Sequence, residues 1–385
     1  MRVLPSAIAI AVFFALLPAV AGGGAMAMPV LLCLAGAAAF SPTVLRQAVE
    51  NRPWWLWFLL AFSLWAGISS MWSAQPGSPQ AYKLAALVPL GLLFATATAR
   101  ASNRELARAA AAAAFFVLAA LLAVEIAFDM PLNRAANPDT HPGEVVRNLN
   151  RGITVLLALT WAAAAALLAN RRAVLAGAVI LIAALPSLPF GLWANVIAFG
   201  VGLAAFALAF AAPRIAIIAV SGGLAVWMLA APFVTPLILA NPRLVDALPE
   251  SWAQRAGIWD YVCAEILERP WIGRGLDAAR AVSDRIEVRG VDMRAIPLHP
   301  HSGSLQIWYE TGAVGAVLAA LTLVAGGLAL ARAFKDNRIA AAAAAASLAS
   351  LGVIANVSFG IWQEWWNATM FVVAALVGAL SLRRA

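Results

Sequence analysis

Three side chains of this protein have the type and setting to do chemistry: His301, Arg255 and Arg151. His299-Pro300-His301-Ser302 stands where a polar stretch gives way to an apolar run. An imidazole titrates near neutral pH, so a histidine there can take a proton from a hydroxyl, or it can simply cap a helix. His299 competes with His301 for the role of base, and Pro300 separates the two stiffly. Arg255 lies between Trp252 and Trp259; on a helix that spacing sets it inside the apolar stripe. A guanidinium turned toward an apolar surface is costly unless an anion meets it. Phosphate or pyrophosphate suits, because arginine grips such oxygens in pairs; snorkelling to lipid headgroups or pairing with a loop carboxylate is the plainer alternative. Arg151 opens another apolar run, after Arg147-Asn148-Leu149-Asn150. A helix N-terminus is already partly positive, so an arginine there either anchors a membrane interface or helps cradle an anion. Lys83, at the start of a further run, is another expected phosphate contact, and Glu310 and Glu125 are carboxylates within or near apolar runs. Intramembrane carboxylates are functional candidates or accept hydrogen bonds from neighbouring helices.

The elements that must position these groups are apolar helices. The chain is 63% hydrophobic and 11% charged, far below the ~25% charge of soluble domains, and its mean hydropathy is +0.86. Several runs reach the ~20 apolar residues that cross a bilayer. They are continuously apolar and rich in Ala and Leu, which points to helices and excludes a barrel of alternating strands. The expected fold is therefore an all-α integral membrane protein. Twelve spans are expected, near 4–22, 26–41, 54–72, 83–99, 106–128, 152–170, 173–188, 191–212, 215–240, 303–331, 339–359 and 366–382. The first resembles a signal peptide, with Arg2 and Ala19-Val20-Ala21, but eleven further spans favour an uncleaved first helix.

Basic residues cluster in alternate links: Arg46 and Arg52, Arg100 to Arg108, Arg171-Arg172, Arg214, Arg332 to Arg338, and Arg383-Arg384. The positive-inside rule then puts both termini in the cytoplasm. Two polar segments face outward, a smaller one at 129–150 and a larger one at 241–302. Three parts follow: residues 1–240 with nine spans and the smaller loop, the 241–302 loop, and residues 303–385 with three spans. The larger loop holds eight of 26 Lys+Arg, nine of 18 Asp+Glu and two of three His. Within it, 251–268 reads as an amphipathic helix started by Pro249-Glu250 and stopped by Arg269-Pro270, and 277–287 as a second, more polar helix. Trp362, Trp365 and Trp366 form an aromatic cluster at the outer end, expected as a membrane belt.

The net charge of +8 sits largely at span ends and sets orientation, so nucleic acid is not an expected partner. Cys33 and Cys263 lie in unlike surroundings, and there is no zinc-type Cys/His spacing, Walker A, HExxH or GxSxG. No metal, nucleotide or other cofactor is called for.

His301-Ser302, nine residues, then Gly312-Ala313-Val314-Gly315 resembles the H-[NSQ]-x9-G-x2-[GTY] signature of the O-antigen ligases. Asn150-Arg151-Gly152 is similar to that family's membrane-edge arginine segment. Arg255-Ala256-Gly257-Ile258-Trp259, followed by Pro270-Trp271-Ile272-Gly273-Arg274-Gly275, resembles its R-x-x-x-W…P-x-x-G-x-G block. One departure is that Ser187-Leu188-Pro189-Phe190 lacks the arginine often present after the seventh span. The resemblance is concentrated in residues 147–161 and 251–315, and the twelve-span layout agrees.

The resemblance implies a membrane-embedded, GT-C-like glycosyltransferase in the bacterial inner membrane with a periplasmic active site. It would move a glycan from undecaprenyl pyrophosphate to a sugar hydroxyl of lipid A–core oligosaccharide, without metal and with inversion. His301 would be the base and Arg151 and Arg255 would hold the pyrophosphate, with Arg147, Lys83, His299, Arg274 and Glu310 as further substrate contacts. A polymerase or a protein O-oligosaccharyltransferase of the same superfamily would share donor and base. A secondary transporter is a more distant alternative, because its polar groups would gather at the bilayer midplane.

Overall fold

A computed structural model describes residues 5–50, 53–136, 138–139 and 141–381. Arg2, Arg52, Arg383 and Arg384, which entered the topology reading, lie outside the described residues. The first half comprises α1 (Pro5–Gly22), α2 (Met28–Ala38), α3 (Pro42–Val49), α4 (Trp54–Ser69), α5 (Gln80–Ala99), α6 (Arg104–Ala127), α7 (Pro131–Ala136) and α8 (Pro142–Ala169). After it come α9 (Ala173–Ala184), α10 (Trp193–Ala211), α11 (Pro213–Leu239), α12 (Pro242–Asp246) and α13 (Glu250–Glu268). A hairpin, β1 (Arg285–Val288) and β2 (Val291–Arg294), precedes α14 (Gly303–Ala333), α15 (Arg338–Val357) and α16 (Glu364–Ala379).

The fold is that of an all-α integral membrane protein. Among the described residues nine helices are long and apolar enough to cross a bilayer. The other three expected spans are shorter helices. One is the 11-residue α2, which passes into α3 through a bend of 108°; the others are the 12-residue α9 and the 16-residue α16.

Helix α8 runs through the middle of the bundle and is buried from Gly152 to Leu167. The alanine run Ala340–Ala346 of α15 is buried too, and α15 packs on α10, α8 and α11. Lipid gives helices no hydrophobic reason to associate, so small side chains that admit close backbone contact take that place. A polar clip adds to it: Trp161 Nε1 donates to Ser350 Oγ at 2.8 Å, and Ser350 Oγ donates to the Ala198 carbonyl at 2.8 Å.

In the 241–302 segment, α13 covers the expected amphipathic helix. Its apolar residues Ile258, Val262, Cys263 and Ile266 pack with Met228 of α11 and Trp308 of α14. The expected second helix at 277–287 is instead a short 3₁₀ turn, Ala278–Ala281, leading into the hairpin. Arg285-Ile286-Glu287-Val288 and Val291-Asp292-Met293-Arg294 alternate polar and apolar residues. The Arg289-Gly290 turn between them takes positive φ at both positions (52° and 78°), which suits the right-handed twist of paired strands. Local turn chemistry overrode a helical pattern.

Helix α14 is broken at Gly312, whose φ of 65° and ψ of −167° are open only to glycine. The Pro270–Gly275 loop docks into the break. Arg274 N and Gly275 N donate to the Tyr309 and Glu310 carbonyls, both at 2.8 Å. Ala313 N and Val314 N donate to the Pro270 and Trp271 carbonyls. A Cβ on Gly312 would sit 2.3 Å from the Trp271 oxygen, and one on Gly273 would sit 2.6 Å from the Glu310 carbonyl carbon.

Candidate active site

A cavity of about 310 Å³ opens where α8, α10, α13 and the residues flanking α14 meet. Arg151, Arg255 and His301, from three distant parts of the chain, all line it, as do Arg147 and His299.

His301 sits at the end of the polar segment in a left-handed conformation (φ 56°). His299 helps to hold that turn: its Nδ1 accepts the His301 backbone N–H at 3.2 Å, and the two rings lie 4.3 Å apart. Burial, then the neighbouring His301, pushes the His299 imidazole down to about 3, so it is neutral and its Nδ1 is an acceptor. His301 is pushed down to about 4, chiefly by burial, with the Arg255 charge adding to the effect. Its Nδ1 lies 2.6 Å from the Ser358 carbonyl. A carbonyl only accepts, so the neutral ring carries its proton on Nδ1 and keeps a lone pair on Nε2. The loop thus delivers a neutral imidazole in the tautomer a base needs.

Arg255 lies on the same face of α13 as Trp252 and Trp259. Its guanidinium stands over the Trp252 ring at 5.2 Å, a cation–π contact. Burial lowers its affinity for its proton. Four residues on, Trp259 Nε1 donates to the Pro300 carbonyl at 2.9 Å, which ties the arginine helix directly to the histidine loop. Arg151 Nη1 donates to Asn148 Oδ1 at 3.1 Å. Arg147 is exposed and pairs with Glu144 at 2.5 Å. No Asp or Glu is among the described residues that line the cavity. Arg151 and Arg255 therefore line a space whose described wall holds no carboxylate, with the Glu144-paired Arg147 beside them.

Uncharged polar groups complete the wall. Thr154 and Asn195 hydrogen-bond each other. Gln363 Oε1 accepts from Trp365 Nε1 at 3.1 Å. Asn150 Oδ1 is buried without a partner among the described residues. Sequence reasoning missed Thr154, Asn195, Gln363 and the Ser358 carbonyl. Only Asn150, beside Arg151, carried a signal that could have found it.

Three expected substrate contacts do not reach the cavity. Lys83 pairs with Glu364 on an exposed surface. Arg274 pairs with Glu265 and Glu268 on a different side of α13. Glu310 is fully buried, and its carboxylate accepts from Asp277 N (2.6 Å), Gln306 Nε2 (3.0 Å) and Trp362 Nε1 (2.6 Å). Glu125 behaves likewise, accepting from Leu132 N and from Asn133 N and Nδ2 at the start of α7. Both carboxylates staple connecting segments to helices. The Trp362, Trp365 and Trp366 cluster is buried too, at 4%, 2% and 0% exposure, so it packs the interior and does not form a lipid-facing belt. No arginine stands in the turn after α9; the third guanidinium at the cavity is Arg147.

Residues 155–320 match the family model described as O-antigen ligase. The matched segment includes Arg255, His301 and Gly312, and begins four residues after Arg151. The chain is also similar to provisionally named polysaccharide ligases. It is 32% identical over 243 residues to one from Rickettsia conorii, covering 60% of this chain and 57% of that protein. It is 31% identical over 138 residues to one from Rickettsia felis (35% of this chain, 33% of that protein). For one from Rickettsia prowazekii the identity is 33% over 124 residues (31% and 30%). The similarity thus spans between 30% and 57% of the length of these curated relatives.

Proposed function

We propose that this member of the O-antigen ligase family transfers a glycan from undecaprenyl pyrophosphate to a sugar hydroxyl of lipid A–core oligosaccharide, on the periplasmic face of the inner membrane. The family-model match over residues 155–320 and the similarity to polysaccharide ligases support the O-antigen ligase family assignment. One observation carries the reading of the site: Arg151, Arg255 and the neutral His301 share a cavity whose described lining holds no carboxylate. Such a site lacks an anion, and a lipid pyrophosphate brings one at the membrane surface.

In this reading Arg151 and Arg255 hold the pyrophosphate and stabilise the charge that grows on it as the anomeric C–O bond breaks. The acceptor hydroxyl attacks the anomeric carbon from the opposite side, and its proton passes to His301 Nε2. The lipid pyrophosphate leaves with the bonding electrons, and the anomeric centre inverts. Binding of the donor also prepares the base. Burial is the main cause that keeps His301 unprotonated and the Arg255 charge a lesser one; an anion held by Arg255 relieves that lesser part and makes the imidazole somewhat more basic.

The test is transfer by the purified chain from lipid-linked donor to acceptor. Arg255→Ala is expected to lower turnover roughly 100- to 1000-fold. Arg255→Lys should also be strongly impaired, because an ammonium cannot grip two phosphate oxygens in one plane. Full activity of Arg255→Lys would reduce Arg255 to a surface anchor and end this reading.

A further inference from the structure

A second cavity, of about 330 Å³, lies on another side of α13 and is lined by Trp72, Tyr261, Glu265, Arg274, Asp284 and Tyr309. Its chemistry contrasts with that of the first. Two carboxylates face it, and the further lining residue Arg269 joins Arg274 in balancing them, so the lining has no surplus positive charge to favour an anion. Three aromatic rings share the wall. Arg274 stands over the Tyr309 ring at 5.8 Å and pairs with Glu265 at 2.5 Å, and Tyr261 Oη donates to Asp284 Oδ2 at 2.6 Å. Two buried donors, Trp72 Nε1 and Arg274 Nε, have no hydrogen-bond partner among the described residues. Buried donors without partners are rare in native proteins and ask for an explanation.

Backbone hydrogen bonds and a helix hold part of its wall in place. Arg274 and Gly275 are pinned by backbone hydrogen bonds into the break of α14, and Tyr261 and Glu265 are successive residues on one face of α13. Aromatic rings, carboxylates and a guanidinium around a preformed polar hollow are the groups that bind a pyranose, by stacking on its C–H face and bonding its vicinal hydroxyls. Glu265 lies ten residues after Arg255, or ~15 Å along the helix, about the reach of a short oligosaccharide.

The geometry points to this second cavity as a saccharide-binding subsite that holds a sugar unit of one glycan substrate, remote from the reacting bond. This rests on the glycan-transfer reading above. Trp72→Phe removes an unpartnered N–H and so breaks no hydrogen bond within the protein, and Asp284→Asn changes an exposed side chain. Each is tested in the full chain, reconstituted in lipid, with donor and acceptor titrated separately and thermal melting as the check on folding. The expected result is a KM for one glycan raised roughly three- to ten-fold, with kcat nearly unchanged. A rise for the acceptor assigns the subsite to the acceptor, and a rise for the donor assigns it to the donor glycan. Unaltered KM values for both, or a loss confined to kcat, overturn the subsite while leaving the transfer reading intact. Absence of transfer by the unsubstituted protein overturns both.

Discussion

Two regions flank the start of α14, and they treat buried polar groups in opposite ways. At the Gly312 break, the carbonyls of Tyr309, Glu310 and Thr311 accept from Arg274 N, Gly275 N and Trp65 Nε1, while Ala313 N and Val314 N donate to the docked loop. The Glu310 carboxylate beside them is met by three donors. In the cavity, among the described residues, Arg255 has an aromatic face but no anion and Asn150 Oδ1 is unmet, while His301 is held in a left-handed turn. Polar groups that satisfy one another build structure. Polar groups left partly unmet, in a space large enough for a ligand, are poised to bind one. Both regions contribute to the same sequence signature, so His301 and Gly312, eleven residues apart, belong to it for different physical reasons.

The strongest way to break that contrast is His301→Ala. General-base catalysis is worth about 10²- to 10⁴-fold, and turnover is expected to fall by that amount with little change in melting temperature. Near-normal transfer would remove the base assignment, and a large loss of stability would move His301 to the structural side of the comparison. Gly312→Ala should show the reverse. The new methyl would sit 2.3 Å from the Trp271 carbonyl oxygen, at a φ/ψ that only glycine occupies comfortably. A loss of about 3 kcal/mol or more is expected, seen as poor accumulation in the membrane. A stable, inactive Gly312→Ala protein would show that the break serves the chemistry directly.

How far this contrast could be read from sequence depends on the residue. Arg255 was legible because an arginine between two tryptophans at helical spacing breaks an apolar stripe, and His301 because it ends a polar segment. Their convergence with Arg151 was not legible, since 104 residues separate Arg151 from Arg255 and only packing brings them together. Glu310 and Arg274 looked like candidates because ionisable groups near a membrane are costly. Glu310 meets Asp277 N and Trp362, which come from connecting segments whose folding no local pattern announced; Arg274 meets Glu265 and Glu268 because the chain after α13 turns back onto that helix. The 277–287 stretch misled for a related reason: in so short a piece, a two-residue positive-φ turn outweighs helical periodicity. Spans were legible by composition, but the shortness of α2, α9 and α16 was not, because apolar turns extend each run beyond its helix.

Acid provides a gentler probe of the same difference. Folded His299 and His301 hold their protons only below about 3 and about 4, against roughly 6.5 in the unfolded chain. Below 6.5 the unfolded state binds protons that the folded state refuses. These two groups therefore favour folding fully above that pH, and the contribution is lost as pH falls toward 4. Each costs up to about 1.4 kcal/mol per pH unit in that window. The difference in melting temperature between the protein and His301→Gln, followed from pH 7 to pH 4, should isolate the His301 share. Geranyl pyrophosphate, by occupying the arginines, should weaken that acid sensitivity, and the acidic limb of kcat should lie above that of kcat/KM. Coincident limbs would mean that donor binding leaves His301 unchanged.

Lys83 supplies the smallest effect and the sharpest boundary. It is neither buried and satisfied nor waiting in the cavity; it pairs with Glu364 while 45% of its side chain stays exposed. Exposed pairs contribute ~0–1 kcal/mol. Glu364 opens α16, where a helix N-terminus favours a carboxylate with or without a lysine beside it. Lys83→Ala should therefore leave transfer within about two-fold and stability within ~1 kcal/mol. A donor KM raised ten-fold would show that the anion site extends past the cavity to the start of α5. The arginine cluster would then be one end of a longer basic track, not a closed pyrophosphate cradle.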